Sequence, residues 1–346
     1  MNTTARRVLP VILAVSAAGY IAPAGAADAN YFKGKTVTIT IGYGFGGSYG
    51  MYARAFAGNL GRHIPGAPTV VVKSQPGAGG MKMANHAYSA MGREGYDLFV
   101  PPDIVVINQL MRPGKMRFDA REFTWLGASN QTNSIMVVRS DTGVRSVADM
   151  KRIKVMGGTS GKSSNGYISP KAAIALLGLR GDIITGYEGS AKAILAMEQG
   201  EVRMASFNWQ TWRSKVPHWF GGDRPFARAI LQIGTRKDPD LPDVPMLSDM
   251  VSGPDNAIVA FISTAGALGR GVAVPPKTPR NVIVTLRKAY DAMNADAAFE
   301  ADLKKLRLRL IPTKGETLQK IVNDAISNAN PEIVKRASGL IFGTSG

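Results

Sequence analysis

The sequence predicts an α/β fold divided into two lobes. Short β-branched runs alternate with glycine-rich turns and helical apolar patterns along most of the chain, which is typical of strand–loop–helix units. The 346-residue chain, even without a leader of 26 residues, exceeds what one hydrophobic core usually holds, so its length indicates two domains. It has no cysteine, which excludes disulfides and a lipid-anchoring cysteine.

The N-terminus is typical of an export signal. Arg6 and Arg7 precede an apolar run, and residues 24–26 (AGA) supply a small-residue cleavage pattern. Glycine and proline interrupt the run below the ~20 apolar residues that a membrane anchor needs. We therefore expect residues 1–26 to be a signal peptide cleaved near Ala26, and the mature chain to be periplasmic.

The chain is strongly basic, with 42 Lys and Arg against 25 Asp and Glu and a formal net charge of +17. Nucleic acid is the usual partner of such a balance. Here the basic residues are spread along the chain, and an exported protein rarely meets nucleic acid. The charge instead favours small acids or an acidic protein partner, so we expect no nucleic-acid binding.

The most informative stretch is residues 36–60. A β-branched alternation predicts a strand at its start, followed by the turn Gly42–Gly47 and by a helix with apolar spacing at Phe56 and Leu60. Such a turn directs backbone N–H groups and the positive helix end at one point, which suits an anion. The turn also matches G-x-G-x-x-G, but no Asp or Glu occurs from 48 to 93, which argues against a nicotinamide cofactor.

The same strand–loop–helix rhythm continues along the chain. Strands are predicted at 69–73, 97–100, 125–128, 135–138, 154–156, 182–185 and 202–207. Helices are predicted at 81–89, 147–150, 165–177, 190–199, 279–293, from 296 to about 308, and 315–327. Residues 238–247 read as a proline-punctuated surface loop. The alternation predicts mostly parallel sheets in a cleft protein whose chain crosses between lobes twice.

The loop 157–164 (GGTSGKSS) is similar to a Walker A loop but is one residue short between its glycines, and no Walker B strand follows. Its glycines and hydroxyls predict another donor-rich helix start. A serine hydrolase using Ser160 stays open as an alternative, although Lys162 stands where G-x-S-x-G needs its second glycine. The histidines are His63, His86 and His218. No two of them have a metal-binding spacing, so neither a metal site nor a catalytic residue is predicted.

Five stretches, spread over nearly the whole mature chain, resemble the solute receptors of the tripartite tricarboxylate transporter family, also called Bug receptors. They are residues 31–54, 68–80, 157–164, 186–202 and 241–247. The resemblance implies a type II periplasmic binding protein fold, in which two α/β lobes joined by two crossover strands form a cleft. We expect residues 27–127 plus 236–346 to form lobe 1 and residues 128–235 to form lobe 2.

The resemblance also implies the function. The chain would be a monomeric receptor, not an enzyme and without a cofactor, that closes on a small organic carboxylate and delivers it to a membrane permease. A receptor that feeds a signalling kinase instead of uptake is a further alternative.

In that family the loops that match residues 46–49, 77–79 and 159–164 hold one ligand carboxylate through backbone N–H groups and hydroxyls. Aromatic and amide side chains at strand ends are candidates for selecting the rest of the ligand. The predicted ligand-binding residues are Tyr43, Phe45, Gly46, Gly47, Ser48, Tyr49, Gly77, Ala78, Gly79, Gln131, Asn133, Thr159, Ser160, Gly161, Ser163, Ser164, Tyr187, Asn208 and Trp209.

The sequence departs from the family pattern at two positions. Gly50 stands where the family often has Asp after the first glycine pair, and Arg203 stands where many relatives carry Asp. Both changes remove negative charge near the predicted cleft. We therefore expect a di- or aromatic acid as the ligand rather than an amino acid.

Overall fold

The computed structural model describes residues 26–343, and the predicted signal peptide lies outside that range except for Ala26. In chain order the described strands are β1 (Thr36–Ile41), β2 (Thr69–Ser74), β3 (Asp97–Val100), β4 (Thr124–Ala128), β5 (Ser134–Arg139), β6 (Val155–Thr159), β7 (Gly181–Thr185), β8 (Met204–Asn208), β9 (Ala227–Ile233), β10 (Gly271–Val274) and β11 (Thr313–Lys314). The described α-helices are α1 (Ser48–Leu60), α2 (Met81–Ser89), α3 (Val105–Met111), α4 (Asn165–Leu177), α5 (Ser190–Gln199), α6 (Trp209–Lys215), α7 (Leu247–Met250), α8 (Asp255–Ser263), α9 (Ala265–Leu268), α10 (Arg280–Asn294), α11 (Ala297–Lys305), α12 (Gly315–Ser327) and α13 (Pro331–Phe342). Within this range, no helix has the length and apolar character that crossing a bilayer requires.

The strands form two sheets, which confirms the two-lobed α/β prediction. The first sheet has the order β11-β4-β10-β3-β1-β2, and the second has the order β7-β6-β8-β5-β9. The chain passes from the first sheet to the second between β4 and β5, and it returns between β9 and β10. The first crossing is the short segment 129–133, whereas the second, residues 234–270, also contains α7, α8 and α9.

The prediction of mostly parallel sheets is wrong, because both sheets are mixed. β1 is parallel to β2 and β3, and β6 is parallel to β7 and β8. In contrast, β10 is antiparallel to β3 and β4, and β5 is antiparallel to β8 and β9. The reason lies in the crossings: β5 and β10 each begin at the junction between the sheets and run away from it, opposite to their neighbours.

The predicted strand–helix units are present as β1 with α1, β2 with α2, β6 with α4 and β7 with α5. The helix predicted at 147–150 is a single 3₁₀ turn, Ala148–Lys151. Strands β9 and β10 and helices α3, α8 and α13 lie outside the sequence prediction. Strand β10 has four residues and α3 has seven, and both elements are too short for their sequences to show a strand or helix periodicity. Helix α13 does have a recognisable start, because Asn330 caps it and Pro331 is its first residue.

Helix α1 packs against α10 and α11 through the apolar face that its spacing predicts. Phe56 and Leu60 are fully buried, and the Phe56 ring lies 5.7 Å from the ring of Tyr290 and 6.0 Å from that of Phe299, centroid to centroid. Ring pairs at such separations add to the stabilisation from burying apolar area. This packing anchors α1 and thereby fixes where its N-terminus points.

Gly50 lies in the first turn of α1, where the β1–α1 loop folds back against the helix. A Cβ atom at position 50 would stand 2.1 Å from the backbone oxygen of Phe45, which excludes any side chain. With the loop in this position, there is no room at position 50 for the Asp that the family often carries there.

We predict that Gly50→Ala lowers the free energy of unfolding by about 2 kcal/mol or more, because the new methyl overlaps backbone that cannot move away. The matched control is Gly58→Ala in the same helix, where nothing lies within 4 Å of the added Cβ. That change should raise the free energy of unfolding by about 0.5–1 kcal/mol. Urea denaturation followed by tryptophan fluorescence measures both. Equal effects of the two substitutions would contradict the steric account.

Candidate ligand-binding site

A cavity with an empty volume of about 520 Å³, part of it open to solvent, lies at the junction between the two sheets. The walls come from the carboxyl ends of β1, β6 and β8, from the start of β5, and from the loops that follow these strands. Among the predicted residues that line it are Tyr43, Gly47, Ser48, Tyr49, Thr159, Ser160, Ser164 and Asn208.

Three helices begin at the wall of this cavity: α1 from the first sheet, and α4 and α5 from the second. Their N-cap residues are Gly47, Ser164 and Gly189, and no side chain of the described residues caps any of the three. The hydroxyl of Ser164 is turned elsewhere, since it donates to the backbone oxygen of Gly161 at 2.7 Å. The N-terminal N–H groups and the positive dipole ends of three helices are thus available to an anion in the cavity.

A buried ion pair also lines the cavity. Arg270 Nη1 lies 3.2 Å from Asp103 Oδ2, and the two side chains are only 4% and 6% exposed. The guanidinium carbon lies 3.7 Å from the centre of the Tyr49 ring, and Nη2 donates to Ser48 Oγ at 3.0 Å. Arg270 immediately precedes β10 on the returning crossing, and Asp103 lies between β3 and α3. The second crossing therefore delivers a cation to the N-terminus of α1.

The groups around this pair hold fixed protonation states near neutral pH. Burial alone would lower the pKa of the Arg270 guanidinium, but the neighbouring Tyr49 and Asp103 oxygens leave it raised above its ordinary value. Burial raises the pKa of the Tyr49 phenol and also that of the Tyr43 phenol. The arginine stays cationic, and both phenols stay protonated donors.

Hydroxyl and amide groups connect the two sheets across the cavity. Asn208 Nδ2, at the end of β8, donates to Ser48 Oγ at 3.2 Å, so one serine oxygen accepts from both lobes. Asn208 Oδ1 accepts the N–H of Thr211 at 3.0 Å and caps α6. The second lobe therefore fixes the position of the Asn208 amide, and the amide contacts Ser48 of the first lobe.

The glycine loops of the two lobes touch at the rim of the cavity. A Cβ on Gly46 would stand 2.7 Å from the Cβ of Ala191 in α5, and a Cβ on Gly79 would stand 2.5 Å from the backbone nitrogen of Ser164. Neither approach leaves room for a methyl group. The absence of side chains at these positions lets the backbones of the lobes come together.

The remaining predicted residues lie at several distances from the cavity. Gly77, Gly79 and Tyr187 line an adjoining pocket that shares Tyr43, Ser160 and Gly189 with the first. The residues that line neither of these two pockets are Phe45, Gly46, Ala78, Gln131, Asn133, Gly161, Ser163 and Trp209.

The side chains in this second group have other partners. The Phe45 ring is 43% exposed. Ser163 Oγ accepts from Arg112 at 2.7 Å, and Trp209 Nε1 donates to Asp240 at 2.9 Å. Gln131 and Asn133 line a separate cavity beside the two crossings. Their roles as ligand contacts stay predictions without a place in the central cavity.

The cavity wall carries a carboxylate, and Arg203, one of the two departures from the family pattern, lies outside the cavity lining. Asp103 places a carboxylate in the cavity wall, whereas Arg203 forms a surface ion pair with Asp141 at 2.8 Å, outside the cavity lining. Neither Arg270 nor Asp103 is predicted as a site residue from the sequence, although each is a single charged residue within an apolar stretch. Asp103 also follows a predicted strand, which is the one sequence signal that points to it.

Among the described residues, no histidine or lysine lines either of the two pockets that Ser160 borders. His63 contacts Asp296 instead, with Nε2 3.0 Å from Oδ2. No group of three His, Cys, Asp or Glu in the described range could hold a metal ion.

A family model described as the tripartite tricarboxylate transporter family receptor, TctC, matches residues 52–338. This chain belongs to that family. Its fold is similar to that of Rpa4515 from R. palustris with adipate (21% identity, TM-score 0.68, 88% of this chain and 97% of that one). It is also similar to MatC (Rpa3494) from Rhodopseudomonas palustris with bound malate (16% identity, TM-score 0.68, 88% of this chain and 99% of that one). The periplasmic binding protein BugD is similar as well (18% identity, TM-score 0.68, 88% of this chain and 97% of that one). The comparison with curated proteins found no match.

At these identities the three structures establish the fold of this TctC receptor, a two-lobed periplasmic binding protein architecture. The family match and the fold agree with the resemblance seen in the sequence. The cavity of this receptor lies at the junction of its two sheets, and α/β proteins bind ligands at such carboxyl ends of strands.

We predict that Arg270→Leu lowers the free energy of unfolding of this TctC receptor by about 3–5 kcal/mol, because Asp103 then stays buried without its cation. The double change Arg270→Leu with Asp103→Asn should cost less than Arg270→Leu alone. Arg152→Leu is the control, since it removes a cation that is 81% exposed and should change little. Denaturant unfolding of the wild type, of the single variants Arg270→Leu and Asp103→Asn, and of the double variant forms the cycle, and strictly additive single effects would contradict an energetic coupling between the pair.

Proposed function

We propose that this TctC receptor captures a small organic carboxylate in the cavity between its lobes and delivers it to a membrane permease. The observation that carries the proposal is the convergence of the uncapped N-termini of α1, α4 and α5 on one cavity that also holds a buried guanidinium. The adipate and the malate in the two similar structures support the same class of ligand.

These contacts suffice for useful affinity. A hydrogen bond to a charged group contributes about 1.5–3 kcal/mol, and a helix N-terminus contributes roughly 0.3–1 kcal/mol more. Three or four such contacts, less the cost of ordering the ligand and the lobes, reach about −8 kcal/mol, which corresponds to a Kd near 1 μM.

The proposal includes the location and the organisation of the receptor. The signal peptide, residues 1–26, would be cleaved near Ala26, and the mature monomer would work in the periplasm. Residues 27–127 plus 236–346 would move as lobe 1, and residues 128–235 would move as lobe 2. The two crossings between the sheets, at 129–133 and 234–270, support this division.

Binding without catalysis is the reading that the site favours. Ser160 has polar neighbours in its pockets but, within the described range, no histidine to activate it as a nucleophile. The family match to a transporter receptor likewise favours uptake over a signalling kinase.

The direct experiment is a thermal-shift screen of the mature protein, residues 27–346, against single carboxylates, sugars and polyamines, with calorimetry on every compound that stabilises it. We expect carboxylates to raise the Tm and to bind with one site per chain. Strongest stabilisation by a free sugar or a polyamine would contradict the proposed ligand class.

Closure of the lobes on the ligand gives a second prediction. Gly46→Ala should weaken carboxylate binding by about 1–3 kcal/mol, or about 5- to 150-fold in Kd. The added methyl meets the Cβ of Ala191 only while the lobes touch, so the unfolding of the ligand-free protein should change little.

The double variant Gly46→Ala with Ala191→Gly provides the matched rescue, because Ala191 Cβ is the atom that stands within 4 Å of the new methyl. Calorimetry with the same carboxylate should show affinity restored toward that of the wild type. Failure of the rescue, with both variants folded, would rule out contact between these loops as the cause of the loss.

A further inference from the structure

The cavity already holds a carboxylate of its own. Asp103 Oδ2 accepts from Arg270 Nη1 at 3.2 Å and from Asn165 Nδ2 at 3.4 Å. Asn165 is the first residue of α4, and Tyr49, whose phenolic oxygen accepts the N–H of Asp103 at 2.8 Å, lies in the first turn of α1. Asp103 therefore forms an ion pair with the guanidinium and lies beside the N-termini of α1 and α4.

This internal carboxylate limits the second group that a ligand can carry. A second ligand carboxylate that approached Arg270 would also approach Asp103, and in a site with little water two like charges repel strongly. A ligand ammonium drawn to Asp103 would meet the guanidinium 3.2 Å from it. An uncharged group that both donates and accepts hydrogen bonds avoids both conflicts.

The wall offers partners for such a group. The hydrogen bonds that the described side chains make to the Asp103 carboxylate fall on Oδ2, which leaves Oδ1 as an acceptor. Nη2 of Arg270 gives one hydrogen to Ser48, and its second hydrogen is a donor for the ligand. An amide or hydroxyl could donate to Asp103 and accept from Arg270.

From this arrangement we infer that the receptor selects monocarboxylates that carry an uncharged amide or hydroxyl at their other end, and that it discriminates against dicarboxylates. The inference rests on the proposed function, since it assigns the ligand's one carboxylate to the helix N-termini. It departs from the sequence-based expectation of a di- or aromatic acid, because it excludes the diacid and keeps a singly charged acid.

The test compares ligands of equal shape that differ by one charge: terephthalate with its monoamide, and adipate with its monoamide. Calorimetry on the wild-type mature protein needs no variant. For the pair that binds, the monoamide should bind at least about tenfold more tightly than the diacid.

Asp103→Asn is the decisive variant, because it keeps the shape of the side chain and removes the charge. It should reverse the preference, so that the diacid gains relative to the monoamide by about tenfold or more. Asp324→Asn is the control: it makes the same change in net charge at an exposed surface pair with Lys320 and should leave the ratio unchanged. Circular dichroism and the Tm establish that both variants are folded.

Three results would overturn the inference. A wild-type protein that binds the diacid more tightly than the monoamide contradicts it, as does an unchanged ratio in folded Asp103→Asn, and both leave the proposed function intact. If no mono- or dicarboxylate binds the wild type at all, the proposed function fails and this inference fails with it.

Discussion

Backbone contact between the glycine turns of the two lobes is the constraint on which the site depends. Gly46 and Gly79 of the first lobe approach α5 and the start of α4 so closely that a methyl group at either position would overlap the opposite lobe. Because the turns touch, the helices that follow them begin at the same cavity. The convergence of helix N-termini thus depends on the absence of side chains at these positions, and hydrogen bonds between the lobes, such as that from Asn208 to Ser48, add to it.

That convergence brings together backbone N–H donors that lack side-chain acceptors within the described range. The N-terminal N–H groups of α1, α4 and α5 have no side-chain cap among the described residues, and unsatisfied donors that are taken out of water are costly. The Asp103 carboxylate is paired with Arg270, whose charge persists despite burial beside the Tyr49 and Asp103 oxygens. The N–H groups of the three helices therefore favour an anion as the occupant of the cavity.

Local patterns predict much of this fold, and long-range topology decides the remainder. The strand of residues 36–41 and the helix that carries Phe56 are readable because their period and their glycine turn lie within one short window. Arg270 and Asp103 are 167 positions apart, and only the returning crossing brings them into contact. The direction of β5 and β10 depends on the same crossings, which explains why parallel sheets are the wrong prediction from alternation alone.

Net charge and site charge act at different ranges in this receptor. Of the described residues that line the central cavity, Arg270 is the one cation and Asp103 the one anion, so the cavity wall is close to neutral although the chain carries a formal +17. The many surface Lys and Arg create a field that draws anions toward the protein and that salt screens over about 8–10 Å. Such a field raises the rate at which any small acid reaches the protein, and it attracts both monoanions and dianions. Discrimination between acids must therefore come from the contacts inside the cavity, where Asp103 and Arg270 lie too deep for salt to screen them.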